Sequence, residues 1–238
     1  MFPIYIIFSF LLITGYVVFT LLILESKGLQ NAGYSNHKRI VIFSGIILSV
    51  YLLTQSLLAS AGVFANFENL PPKIIFLPLS WIAITVFFVL NSKTRLIISG
   101  IPPQWLMYFQ IYRIGVELVL WSLYVEGIIP IQMTFEGYNF DILAGILVPL
   151  TGWLVFEKNL LNVGWAIAAN FLGLALLITI FIIAIRSAPG PLGGEWEDPI
   201  RNTMIAYWPM VWLPGIIAPA AFMVHVASLY QLIGKKFR

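Results

Sequence analysis

The hydrophobic positions of this chain come in long unbroken runs, not in the alternation of a half-buried strand or the single stripe of a soluble helix. A hydrocarbon core of ~30 Å takes about 20 apolar residues per helix. Segments of that kind recur at residues 3–24, 40–65, 74–91, 104–129, 142–156, 160–185 and 204–234. Polar punctuation separates them: "ESKGLQNAGYSNHKR", "NFENLPPK", "SKTRLIISGIPP", "EKN" and the long connector "RSAPGPLGGEWEDPIRNT". The two prolines ahead of the fourth segment suit a helix start. The fifth segment is short and contains Pro149, so its span is expected to borrow residues from the loop before it. The pattern predicts an all-α fold, a polytopic transmembrane helix bundle with seven transmembrane helices forming a single domain over residues 1–238.

Composition agrees. Hydrophobic residues make up 60% of the chain and charged ones 10%, against roughly 25% charged in an ordinary soluble domain, and the mean hydropathy is +0.94. Residues 1–24 carry neither a basic leader nor a small-residue cleavage site, so they read as a retained first span. The net charge of +3 does not point to nucleic acid, because the basic residues gather in short connections and at the C-terminus. Lys27, Lys38, Arg39, Lys93, Arg95, Lys158, Lys235, Lys236 and Arg238 fall on one side of the seven predicted spans. The other side holds Lys73, Arg186 and Arg201 with Glu68, Glu136, Asp141, Glu195, Glu197 and Asp198. Positive residues stay cytoplasmic, which predicts the N-terminus out and the C-terminus in, and a multi-pass protein of the cell inner (plasma) membrane with the lipid bilayer as its first partner. Zero cysteines exclude disulfides, thiolate metal sites and a cysteine nucleophile.

Chemistry is sparse and therefore conspicuous. Gln110, Arg113 and Glu117 lie at i, i+3 and i+7 of the fourth predicted span, on one helical stripe. A charge at the centre of a membrane helix costs ~2.5 to 3.5 kcal/mol on insertion scales, so each is expected to face the bundle interior with a partner. Arg113 and Glu117 are four apart and can pair with each other; a partner on another helix is the alternative. Asn170 lies near the middle of the sixth span. His225 in the seventh is followed at helical spacing by Ser228 and Gln231, which would continue a polar path toward the cytoplasm. A histidine beside a glutamate is a proton-transfer pair by residue type, and a hydrogen-bonded structural histidine is the plainer reading. Pro209, Pro214 and Pro219, with Gly215, interrupt the seventh span. Such broken helices line transporter sites, and a permanent bend is the bland version.

The connection "MTFEGYNFD" offers Glu136, Asn139 and Asp141 as hard oxygen ligands, but their spacing fits no calcium loop. Its aromatics are expected in the headgroup belt, with its polar groups capping helix ends. "EWEDP" reads as an acidic solvated turn. No metal site and no cofactor is predicted. Only His225 of the two histidines lies within a span, which rules against bis-histidine haem, and HExxH, Walker A and GxSxG motifs are missing. The sequence therefore makes no enzyme claim.

Seven helices with an outward N-terminus resemble the rhodopsin and G-protein-coupled receptor topology, yet the last span has no lysine for retinal before Lys235. The stretches "YRIGVELVLW" through "MTFEGYNFDIL", the proline-rich last span and "HVASLYQLI" resemble a family of uncharacterised bacterial polytopic membrane proteins. That resemblance implies that Arg113, Glu117 and the "FEGYNFD" loop belong to a shared pattern, and it assigns them no activity. Two functional expectations follow. One is binding or conduction of a small solute or proton through a polar midplane pocket at Arg113 and Glu117. The other is a non-catalytic accessory subunit of a larger membrane complex, with a homo-oligomer also compatible.

Overall fold

The computed structural model describes residues 2–194 and 199–236, and every regular element among them is helical. They are α1 (Ile4–Asn31), α2 (His37–Ser60), α3 (Phe76–Leu90), α4 (Ser92–Gly100), α5 (Pro103–Tyr108), α6 (Tyr112–Val125), α7 (Ile142–Phe156), α8 (Val163–Arg186) and α9 (Ala218–Lys236). Five stretches are long and apolar enough to cross a membrane: Ile4–Asn31, His37–Ser60, Lys73–Leu90, Val163–Arg186 and Leu213–Gly234. α7 is apolar but has only 15 residues. α5 and α6 are joined through a tightened 3-10 turn, Phe109–Ile111, into one rod.

Burial sorts the helices into centre and rim. In the most apolar window of the last span 67% of residues are buried, whereas in that of α2 the figure is 6%. α9 is accordingly the hub, packed by α3, α5 and α8, while α1 lies against α2, α4 and α6. Side chains such as Phe43, Ile46, Val50 and Leu53 of α2, or Phe171 and Ile182 of α8, point away from the protein. Such an outward apolar belt suits hydrocarbon as its solvent.

The helix ends differ from several of the predicted span limits. The first helix runs on to Asn31, the second starts at His37 and stops at Ser60, and the sixth predicted span begins at Val163, where the Asn162 side chain accepts from the Gly164 amide at 2.9 Å. The stretch predicted as the loop "SKTRLIISG" is the helix α4, started by Asn91, whose Oδ1 accepts from the amides of Lys93 (2.9 Å) and Thr94 (3.3 Å). Side-chain oxygens at such positions satisfy the orphan donors of a helix start. The fourth predicted segment, 104–129, ends its helix at Val125.

The largest change is in the last segment. Residues 204–206 form a separate 3-10 turn, and the spanning part begins only at Leu213 with a π-helical turn, Leu213–Ile217, leading into α9. Pro209 thus stands before the helix, Pro214 and Gly215 in the π turn and Pro219 in the first turn of α9. Pro219 has no N–H to give to the carbonyl four residues back. That carbonyl, on Gly215, instead receives the Tyr51 hydroxyl (3.1 Å) and the Gln55 amide (3.5 Å) from α2. Trp81 Nε1 of α3 donates to Tyr51 Oη at 3.0 Å, so three helices meet at the freed carbonyl.

Candidate functional site

α6 turns Arg113, Val116, Glu117 and Leu120 toward the interior, and Arg113 and Glu117 are 2% and 1% exposed. The two do not pair with each other. Arg113 Nε donates to Asp141 Oδ2 at 2.7 Å and Nη2 donates to Asp141 Oδ1, a fork matched to the carboxylate. Nη2 also donates to the Gly173 carbonyl at 3.1 Å, and Nη1 to His225 Nε2 at 2.9 Å. Arginine thus spends four of its five donors on three elements: the residue before α7, the backbone of α8 and a side chain of α9.

Asp141 reaches this position because its connection folds inward. Thr134 closes a turn on the Ile131 carbonyl, and Asn139 donates its backbone N–H to the Thr134 carbonyl at 3.1 Å. Asn139 Oδ1 then accepts the Asp141 amide at 3.1 Å, and its Nδ2 donates to the Met133 carbonyl at 3.1 Å and to Glu117 Oε1 at 2.6 Å. The connection does not keep its polar groups at helix ends as expected. Tyr138 and Phe140 face outward, whereas Asn139 and Asp141 are buried partners of the charged stripe. Glu136 accepts from Trp121 Nε1 at 2.9 Å on the exposed side, away from Asp141's cluster. The acidic run Glu195–Asp198 lies outside the described residues.

The histidine's protonation follows from its neighbours. Arginine has no acceptor, so His225 Nε2 accepts and Nδ1 carries the hydrogen, donated to Asn170 Oδ1 at 2.9 Å. Asn170 is itself oriented by donating Nδ2 to the Ala166 carbonyl at 2.8 Å. A second proton, on Nε2, would set donor against donor. Gly173 makes the arrangement sterically feasible, since a Cβ there would lie 2.4 Å from His225 Cε1. At Gly145 of α7 a Cβ would sit 2.9 Å from the Ile114 amide nitrogen and 3.4 Å from Arg113 Cβ, so α7 can approach α6 closely only with glycine there.

The other predicted residues are drawn into packing. Gln110 is fully buried, its Nε2 reaching the Ala221 carbonyl at 3.4 Å. Tyr112, its neighbour but one, donates to the Ile217 carbonyl at 2.7 Å. Gln231 does not continue a polar path from His225. Its Nε2 donates to the carbonyls of Ile98 (2.8 Å) and Ile101 (2.6 Å), tying α9 to the end of α4, and Ser228 is buried.

Among the described residues nine buried side-chain atoms lack a partner, Gln110 Oε1, Ser228 Oγ and Gln231 Oε1 among them, and Glu117 supplies the one that belongs to a carboxylate. Glu117 Oε2 is buried and unbonded, and Glu117 lies in the wall of a cavity of about 250 Å³. Arg113 and Asp141 share that wall. The remainder is apolar, built from α3, α6, α8 and the π turn with the start of α9. Sequence reasoning selects Arg113, Glu117, Asn170 and His225, and it misses Asp141, Asn139 and Gly173 as their immediate companions. The chain matches no protein-family model, no curated protein and no solved structure.

Proposed function

We propose that this is a seven-span bacterial inner-membrane protein, N-terminus out and C-terminus in, whose activity is to bind a small molecule in the cavity beside Glu117. The α5–α6 rod supports the span count, since residues 103–125 at ~1.5 Å per residue reach about 33 Å, the thickness of a hydrocarbon core. α7 is shorter than such a core, and a shorter helix is accommodated by local thinning or by its neighbours. The observation that carries the binding reading is the unpartnered, buried Oε2 of Glu117, a residue of the cavity wall whose other charged members, Arg113 and Asp141, are already paired. Buried polar atoms normally have partners, and intramembrane carboxylates pair. A ligand group completes the set.

Binding is favoured over conduction by the fate of the relay candidates. His225 and Asn170 are occupied by hydrogen bonds to protein groups, and Gln231 gives its Nε2 to two backbone carbonyls. Native mass spectrometry of gently extracted protein tests the reading: release of one defined small molecule from wild type, and its loss from folded Glu117→Gln, is the expected result. Stoichiometric foreign subunits and no released molecule would favour the accessory-subunit role instead.

A further inference from the structure

The charges at the deep end of the cavity do not cancel. Arg113 and Asp141 neutralise each other through their fork, and the other Arg113 bonds go to Gly173 and His225. Glu117 receives only the neutral Asn139 amide, on Oε1, and its Oε2 is left without a donor. An anionic head group would meet two carboxylates and an arginine with four of its five N–H groups committed and its charge already matched by Asp141. A purely apolar occupant would leave Oε2 as it stands. A head that brings both a donor and a positive charge supplies what the site lacks.

The walls specify the rest of the occupant. Trp81 and Ile82 of α3, Leu177 and Ile178 of α8 and Phe222 of α9 line the cavity. Ile82 is 42% exposed and Ile178 54% exposed, so this wall runs out between α3 and α8 onto the apolar belt. An occupant arriving there is already dissolved in hydrocarbon. An engineered apolar cavity of about 150 Å³ holds benzene; scaled to the cavity of about 250 Å³ here, there is room for on the order of ten non-hydrogen atoms.

Resting on the small-molecule reading above, we infer that the cavity binds a lipophilic amine that enters from the bilayer between α3 and α8 and seats its nitrogen on Glu117 Oε2. The proton balance closes in two pairings, an ammonium with the ionised Glu117 and an uncharged amine with the protonated one. An amine arriving as ammonium pairs with the carboxylate. One arriving uncharged takes a proton from the carboxyl, the N–H bond forming as the O–H bond breaks, and leaves the same ion pair.

The test uses the full chain in phosphatidylcholine nanodiscs and three ten-carbon probes, an amine, an alcohol and a carboxylate, each bearing a chain diazirine. After photolysis, labelled peptides are mapped by mass spectrometry. The amine probe is expected to label peptides around Trp81 and Leu177 saturably. Unlabelled decylamine should compete at least tenfold better than 1-decanol, and decanoate should not compete. Glu117→Gln should reduce the labelling at least tenfold, and Ile178→Trp, at the exposed end of the wall, should slow it. Equal labelling by the alcohol or the carboxylate probe would overturn the amine class and leave a small-molecule site standing. Absence of saturable labelling by all three would overturn both. The head-group comparison is made on the wild-type protein, so it decides even where a variant folds poorly.

Discussion

Asp141→Asn leaves Arg113 buried with half of its counter-ion gone. In the wild-type protein two guanidinium nitrogens point at the Asp141 carboxylate, and the arginine is 2% exposed. Asparagine keeps one acceptor oxygen and turns an NH₂ toward the guanidinium, donor against donor. Removing one partner of a buried ion pair costs ~3 to 5 kcal/mol. Because one acceptor survives, the expectation lies at the lower end, about 3 kcal/mol, or roughly 150-fold in the folding equilibrium at ~1.4 kcal/mol per factor of ten. Glu117→Gln should behave differently, since Asn139 still finds an oxygen and no charge is stranded; its cost should stay below ~1 kcal/mol. Equilibrium unfolding by sodium dodecyl sulfate in mixed micelles, followed by tryptophan fluorescence, measures both. Combining Arg113→Met with Asp141→Asn should recover part of the loss, because neighbouring sites are non-additive. A cost for Asp141→Asn below ~1 kcal/mol, or a larger one for Glu117→Gln, would refute Asp141 as the counter-ion.

Gly173→Ala drives a methyl into the imidazole of His225, 2.4 Å from Cε1, and should cost ~1 to 3 kcal/mol as overpacking does, read in the same unfolding titration. Tyr51→Phe removes a donor from the Gly215 carbonyl and should cost ~1 kcal/mol. In a Pro219→Ala background, where a backbone N–H is restored, that cost should shrink; an unchanged cost would show that the hydroxyl does not compensate for the proline. With no native cysteine to interfere, Ser35→Cys and Glu136→Cys report orientation. In intact cells a membrane-impermeant maleimide should label position 136 and spare position 35, and the reverse pattern would invert the topology.

Long apolar runs are legible because hydrocarbon imposes one demand on every residue of a span. The fifth predicted segment coincides with α7, and the third differs from Lys73–Leu90 by a residue at each end. The cluster is legible only in part. Charges inside an apolar run announce themselves, which is how Arg113 and Glu117 stand out. The rule that residues four apart on a helix are neighbours then suggests that they pair. Asp141 wins the arginine because both of its oxygens take a guanidinium donor from a separate element, and its place in a loop gives no periodic signal. Gly173 is equally silent: a glycine in a membrane helix is common, and only the imidazole laid against it shows its purpose. α4 escapes notice because "SKTRLIISG" is too short and too polar for a span, while its Asn91 start signal is local and could have been read.

The cluster at Arg113 also sets an order of events during synthesis. Asp141 follows the arginine by 28 residues and His225 by 112. At ~5 to 20 residues per second, the histidine emerges roughly 6 to 22 seconds after the residue it must meet. Until then the α5–α6 rod holds a guanidinium whose set of acceptors is incomplete, and Glu117, on the same helix, is the nearest carboxylate in sequence. A nascent chain in which those two have paired must exchange partners when α7 arrives. Chains halted before α7 therefore lack the ion pair of the finished protein, chains halted before α9 hold it but lack the histidine acceptor, and the last helix serves as the closing step of assembly as well as its hub.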